Sequence, residues 1–545
     1  MTDAAATPSV PLEPLHVVVV GGGMAGLVAA LDCARVGIRV TVLEGSDRVG
    51  GALRSEEIGG IPVEVGAESY ATRGGSVRAL AESVGLGDRI VAPNPEGAWV
   101  AARKGVFAPL PKAGILGIPS NPLADDVRAV IGWGGALRAY LDRVIPVLAV
   151  GRVHDLGALV TRRMGSAVRD NLVAPVTMGV YSTDPEALDV AFAAPGLNKA
   201  LTTAGSLSGA VATMRSASRA GSNVEGLAGG MSALVDAVVH ELEHTWGVDI
   251  RRDAPVSALH RTDEGWTLEL DPAVAVPDAD DPITPVPEPV EGSRALGNAL
   301  PSTSSGNVES GSADRVPSRI HADFVIVATP EAPALALLAA VEPSLADVEP
   351  IDPPRVDLVT LVLDDPRLDA HPRGTGMLVA PGAGLTAKAM THATAKWSWL
   401  ADRAREAAPH RHVLRVSFGK AGENTVAHLD DDALVELAIR DLSTMLGVDL
   451  DPRTVVASRR TTWAGAVPGA VTGQRARSTS VRERILAIGG LDVTGGWLAG
   501  TGLAAVVPDA LAASGRIRHL VAQRLLADVA RTDGPRSEGA AGPEA

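Results

Sequence analysis

The sequence predicts an α/β fold, and three observations carry that prediction. Residues 16–51, HVVVVGGGMAGLVAALDCARVGIRVTVLEGSDRVGG, run an all-apolar stretch into a glycine-rich turn, a helix-spaced segment and a second apolar stretch. Far along the chain, 493–503 (VTGGWLAGTGL) again closes a strand on glycines before a helix. Between them, 356–418 carries the strand-like runs VDLVTLVLD, GMLVAP, KAMTHAT and VLRVSF, which suggest an antiparallel sheet.

The first stretch can be read residue by residue. Val17, Val18, Val19 and Val20 have the pattern of a parallel strand buried on both faces. From 24 to 36, apolar residues at 27, 28, 31 and 34 recur at helical spacing, and Gly37 is placed to end the helix. Residues 39–43 read as a second strand, closed by Glu44. In Gly21-Gly22-Gly23-Met24-Ala25-Gly26, Gly21 permits a tight turn, Gly23 lets backbone approach a pyrophosphate, and Gly26 lets helix and strand pack closely. The helix N-terminus offers unpaired N–H groups and a positive dipole end to phosphates. Glu44 lies 18 residues beyond Gly26, near the position where an acid accepts ribose hydroxyls. The same acid would repel the 2′-phosphate of NADP.

Composition narrows the class. A chain of 545 residues has room for two or three domains, and 46% hydrophobic against 3% aromatic residues means cores of Ala, Val and Leu. A formal net charge of −15 with no basic tract excludes nucleic acid as a partner. Cys33 is the single cysteine, so neither a disulfide framework nor a cysteine-based metal site is expected. Residues 1–14 do not have the pattern of a secretory signal, and no stretch of 18 uncharged apolar residues occurs. A cytoplasmic enzyme is the expectation, with peripheral membrane contact left open.

In chain order, 1–13 read as a disordered leader, and 61–65 as a strand delivering Gly66, Ala67, Glu68 and Ser69. A helix over 76–84 stops at Gly85 or Gly87. Then 96–221 reads as an inserted helical lobe. It opens on a hairpin over 99–110 turning at Lys104 and Gly105, followed by helices over 136–150 (kinked or ended at Pro146) and 155–164. Within it, 165–197 has little periodicity. Residues 226–242 are a glycine turn feeding an amphipathic helix, and Asp263-Glu264-Gly265 supplies a later hairpin turn. Residues 272–317, rich in Pro, Asp, Ser and Gly, read as a disordered surface insertion. Residues 321–329 read as one buried strand, with Pro330 starting a helix. A sheet domain over 341–464 includes a helix at 431–446. Helices at 481–486 and from about 503 to 527 follow, then a disordered tail, 531–545. The nucleotide domain is therefore discontinuous: 15–95, 222–340 and 465–530.

Three constellations compete for a chemical role. His240-Glu241-Leu242-Glu243-His244 has zinc-protease spacing, but apolar positions 234, 235, 238 and 242 set the helix's buried face and turn both histidines outward, so no metal is expected. Lys396, beside Trp397, could bring a cation to a substrate carboxylate or the cofactor, or simply snorkel over the ring. Arg103, Lys104 and Lys112 could meet carboxylates but read first as surface charge.

Glu44-x-x-x-Arg48-x-Gly50-Gly51 continues the nucleotide site, and this run resembles the amine-oxidase-like flavoprotein superfamily. There the arginine and paired glycines lie along the FAD pyrophosphate and ribityl chain, and the turn corresponding to 66–69 lies along the flavin. The C-terminal glycine run, with Gly495, Gly502, Leu503 and Ala504, offers a helix N-terminus to the flavin edge where negative charge develops on reduction. The ordered set LVAPVTMGVYSTDPEALD, GLAGGMSALVDAV, VIVATPEAPALALL, GTGMLVAPGAGLTAKAMTHATAKWSWL and VTGGWLAGTGL resembles, more narrowly, the oxygen-dependent, FAD-containing porphyrinogen oxidases of haem synthesis. That likeness covers most of 15–527. It departs at Ala504-Ala505-Val506, where the family has Pro-Asp-Cys, and at a displaced aromatic near Trp497.

The resemblance implies a Rossmann-like FAD-binding domain, an antiparallel-sheet substrate domain and an inserted helical lobe. With the motifs above, it makes Gly21, Gly22, Gly23, Met24, Ala25, Gly26, Glu44, Gly45, Arg48, Gly50, Gly51, Gly66, Ala67, Glu68, Ser69, Val256, Gly495, Gly502, Leu503 and Ala504 the candidate cofactor site. It implies hydride transfer from a tetrapyrrole methylene bridge to the flavin, without a dedicated side-chain acid or base, and with Lys396 the one catalytic candidate. Oxygen would be the acceptor, hydrogen peroxide the by-product, and coproporphyrinogen III the favoured substrate over protoporphyrinogen IX. A later haem-pathway enzyme would be a partner. Two alternatives stand beside this: a flavin amine oxidase, whose lysine the strand over 355–363 lacks, and a non-catalytic flavin or porphyrin scaffold.

Overall fold

Uninterrupted valine is what puts β1 (His16–Val20) in the middle of a sheet, since a strand with no polar side chain at 17–20 needs cover on both faces. In the computed structural model, which describes residues 14–147, 154–216, 224–271, 318–465 and 473–532, β1 lies between β2 (Arg39–Leu43) and a later strand. With β3 (Asp249–Arg251), β4 (Phe324–Val327) and β5 (Leu491–Val493), the order is β3-β2-β1-β4-β5, every pair parallel. The helix Met24–Ala34 packs on this sheet and shares its core with the last helix, Leu503–Thr532, through Leu27, Leu31, Val507, Ala510 and Ile517. Asp32 of the first helix accepts from Arg518 (2.8 Å) and Ser514 (2.5 Å) of the last. The two ends of the chain therefore close one layer.

A second, seven-stranded sheet runs Val455–Ala464, Arg355–Asp364, Arg411–Phe418, Ala389–His392, Gly376–Val379, Ala98–Ala102, Val106–Pro109. It is antiparallel except where Gly376–Val379 meets Ala98–Ala102 in parallel. The hairpin expected with the helical lobe is thus the edge of this sheet. Val100, Ala101 and Ala102 are at most 1% exposed, and a lone hairpin cannot bury both faces. The helix Asp431–Leu446 covers one face through Leu434, Ala438 and Leu442.

Five further expectations are corrected. Residues 321–329 are not one strand: Ser318–Ala322 joins a small antiparallel sheet, and Asp323, hydrogen-bonded to His16 N (2.8 Å), turns the chain into β4. The helix expected over 136–150 is Asp125–Tyr140, with Asp125 and Asp126 in its first turn and a left-handed break at Gly132. The aperiodic stretch is largely helical from 166 to 181, including a π turn at Arg169–Val173. Leu172, Val173 and Thr177 there are fully buried, and a segment covered on several sides loses the 3.6-residue pattern. Finally, Gln474–Ile488 is longer than the helix read over 481–486, and Leu503–Thr532 carries helix into 531 and 532. The expectations for 1–13, 272–317 and 533–545 lie outside the described residues.

Candidate functional site

At the carboxyl end of β1 the chain turns at Gly21 (φ +107°), where a Cβ would lie 2.8 Å from the Ala328 carbonyl oxygen at the end of β4. A methyl on Gly26 would run into the Gly21 carbonyl oxygen, so the helix Met24–Ala34 packs against the turn at glycine distance. Gly23 differs: a Cβ there would meet nothing within 4 Å. It bridges to Gly50 in parallel, and Gly50 N donates to Gly22 O (2.8 Å). Gly22, Gly23, Gly50 and Gly51 thus lie side by side, with Gly23 facing open space and Gly22 and Gly50 packed on Val49 and Val235, and Met24 and Ala25 are buried in the helix's first turn.

Glu44 closes one side. Its carboxylate accepts from Gly22 N (2.7 Å), Ser46 N (2.9 Å) and Ser46 Oγ (2.7 Å). Its carbonyl accepts from Ala254 N (2.8 Å), and Gly45 lies near Pro255, which brings Val256 to the same margin. Arg48 reaches Gly51 O (3.5 Å). Ala52 carries the frame on: its carbonyl accepts from Ala67 N (3.0 Å), and a methyl on Gly66 would collide with it. The turn at 66–69 is therefore tied to the glycine pair.

Glu68 in that turn faces the second sheet. It binds the Lys396 ammonium and Arg415 (2.8 Å), while Arg415 also donates to Gly66 O (2.7 Å). Burial alone would push the Glu68 carboxyl up, but the two cations hold it down at about 2. Arg415 was not expected. An arginine inside the apolar run VLRVSF was the available signal, because a buried guanidinium needs a partner.

At the other end, β5 leads through Gly495 (φ +137°), the short helix Gly496–Ala499, and Gly500 and Gly502 into Leu503–Thr532. A Cβ on Gly495 would lie 3.8 Å from the Thr329 carbonyl oxygen, so this run converges on the ends of β1 and β4. That is where the sheet order reverses, the crevice in which open α/β sheets take ligands. Thr329 Oγ1, Trp497 Nε1 and Thr501 Oγ1 are buried there without a partner among the described residues. Open space over Gly23, a long helix's N-terminus and unsatisfied buried polar atoms fit a dinucleotide with a polar ring.

The competing constellations have other work. Glu241 is held by Arg35 (2.8 Å) and Trp246, within a π turn, and the rings of His240 and His244 stack at 4.5 Å. Arg103 pairs with Asp170 (2.6 Å) and reaches Pro381 O. Lys104 occupies the hairpin's left-handed position, as the turn requires.

Comparison with known proteins decides among flavin folds. The family model for flavin-containing amine oxidoreductases matches residues 24–283 and 303–517. This chain belongs to that family. A coproporphyrinogen III oxidase of Mycobacterium leprae is 30% identical over 94% of this chain and 98% of its own. One of Bacillus subtilis is 23% identical over 90% and 94%. A structure from Exiguobacterium sp., named provisionally as a protoporphyrinogen oxidase, superposes with TM-score 0.72 at 24% identity, covering 93% of this chain and 99% of that one. Reduced UDP-galactopyranose mutase shares the fold at TM-score 0.62 and 12% identity, covering 93% and 96%. So wide a range of names on one fold means the fold alone does not choose the reaction. This flavin-containing oxidoreductase carries FAD, and its strand Arg355–Asp364 has no lysine.

Proposed function

We propose that this flavoprotein oxidises coproporphyrinogen III to coproporphyrin III in haem synthesis, with oxygen as acceptor and hydrogen peroxide as by-product. The observation that carries the reading is 30% identity to an oxidase of that name along nearly the whole of both chains. FAD would supply the hydride acceptor. Gly21, Gly22, Gly23, Gly26, Gly50 and Gly51 would form the turn that receives its diphosphate, Gly23 facing the open space, with Met24, Ala25 and Arg48 beside them. Glu44, with Gly45 and Val256 at its margin, would accept the ribose hydroxyls, and Gly66, Ala67, Glu68 and Ser69 would lie along the ring. Gly495, Gly502, Leu503 and Ala504 would present a helix N-terminus to the edge where charge develops. The second sheet and the helical segments would orient the macrocycle and exclude water.

No helix among the described residues is long and apolar enough to cross a membrane. Peripheral contact has support in Trp133, Leu137, Tyr140, Leu141 and Val144, which expose apolar surface along one stretch of the helical segments. The single buried Cys33 accords with a cytoplasmic location, where a later haem-pathway enzyme would take the product.

The test is anaerobic mixing of the purified holoprotein with coproporphyrinogen III and, separately, protoporphyrinogen IX. Bleaching of the flavin's visible band, followed by porphyrin fluorescence on admitting air, is expected, and faster with coproporphyrinogen III. Tight binding without bleaching would leave a scaffold, and bleaching only by amines would leave an amine oxidase.

A further inference from the structure

Glu68, Lys396 and Arg415 form one ion cluster in which a single carboxylate meets two cations. Their side chains are only 14%, 17% and 8% exposed, so solvent screens the surplus charge poorly. The nearest carboxylate in the same segment does not cancel it: Glu64 turns to Ser55 and Ser232. Two further features show that the cluster is not self-contained. Arg415 Nε is buried without a partner among the described residues, although the other arms of the guanidinium bind Glu68 and Gly66 O. Thr360, directly opposite Arg415 in the sheet register, also has an unpartnered buried hydroxyl.

We propose that this cluster holds one net positive charge against the flavin ring and stabilises the anionic reduced cofactor. The proposal rests on the reading that 66–69 lie along the flavin. Arg415 fixes the turn's backbone and, with Lys396, outweighs the turn's own acid, so Arg415 and Lys396 are positioning residues and need not touch the substrate. The helix N-terminus at Leu503 supplies only partial charge, whereas this cluster supplies a full one from the opposite sheet.

The test is sulfite titration of purified holoprotein, because sulfite adds to oxidised flavin more tightly when positive charge lies beside the ring. Arg415→Gln removes one cation and is expected to weaken sulfite binding about tenfold, whereas Glu68→Gln adds one net charge and tightens it about tenfold. Damage to packing would weaken both, so opposite signs identify the charge. Lys396→Met carries the same test as Arg415→Gln if the arginine variant fails to retain FAD. Same-sign shifts, or none, overturn the proposal. Ala67→Leu, at an exposed position of the same turn, tests the placement separately through FAD affinity of the apoprotein. An unchanged affinity and absorbance spectrum there would remove the turn from the flavin and the proposal with it.

Discussion

At the glycine turns after β1 and in the 66–69 turn the closest contacts are backbone on backbone: Gly21 against Ala328, Gly26 against Gly21, Gly66 against Ala52. In the seven-stranded sheet and the helical segments they are buried charges: Arg163 on Asp142, Arg415 and Lys396 on Glu68, Arg460 on Asp357. The difference matters because the two kinds of contact fail differently. A glycine contact is lost by adding a methyl, a local steric event. A buried ion is lost by removing its partner, which strands a charge in low dielectric.

Two lysines eight positions apart show how much the partner decides. Lys396 has Glu68. Lys388, 5% exposed, has among the described residues only neutral oxygens, Ser182 Oγ and Gly419 O, each at 2.6 Å. Burial pushes the Lys388 ammonium down to about 7.

The largest expected effect lies on the charged side. Asp142 is fully buried and binds Arg163 Nε (2.7 Å) and Ser208 N (2.8 Å), while Arg163 also ties down Ile145 O and Gly205 O. Asp142→Ala should cost about 3–5 kcal/mol in urea unfolding, because the guanidinium is left without its counter-charge. A loss below about 1 kcal/mol would mean that water reaches Arg163 readily.

On the glycine side, two substitutions one turn apart should separate cleanly. Gly26→Ala drives a methyl into the Gly21 carbonyl and should destabilise even the apoprotein by about 2–3 kcal/mol. Gly23→Ala meets nothing, so apoprotein stability should stay within about 0.5 kcal/mol while FAD affinity falls. Equal loss of apoprotein stability in the two variants would break the comparison.

Lys388 gives the next effect. Its folded-state pKa lies near 7, below the ordinary lysine value, so between the two the unfolded chain binds more protons. Stability should therefore rise with pH through that window, by about 2 kcal/mol between pH 7 and 9, and Lys388→Met should abolish that part of the slope. Asp184, Lys420 and Glu423 stand at the neighbouring turn and are unchanged in the variant.

This contrast also explains what could be read from residues alone. Gly21, Gly23, Gly26 and Glu44 are legible because their chemistry requires those residue types at fixed spacing within one βαβ unit. Helix 431–446 was legible to the residue, and the structure caps it with Asp430 and ends it at a left-handed Gly447. Arg415 was not legible as a partner of Glu68, because the pair is 347 positions apart and forms only when two sheets meet. The hairpin at 98–109 was misassigned for the same reason: its pairing with Gly376–Val379 leaves no local trace. The helices between 166 and 181 were hidden by burial on several sides, which erases the periodicity used to find them.

The smallest expected effect comes from a buried group on the charged side that carries no charge at neutral pH. His392 is fully buried, with Nε2 3.2 Å from His412 Nδ1, and His412 Nε2 is 3.0 Å from Asp369. His371, itself on Glu96, packs edge-on against His392, while His410 takes the other oxygen of Asp369 and Thr394 lies beside His412. Burial, reinforced by the neighbouring imidazoles, pushes His392 well below the ordinary histidine value. Burial also lowers His412, although Asp369 works against it. In the unfolded chain both would take up protons below about pH 6.5, so the folded state binds fewer and loses stability as pH falls through that point. The expected loss is about 1 kcal/mol between pH 7 and 5.5, read as a lower thermal midpoint, and His392→Gln should flatten it. An acid slope unchanged in that variant would place the sensitivity elsewhere, and would mean that the imidazole pair opens to solvent before it takes up a proton.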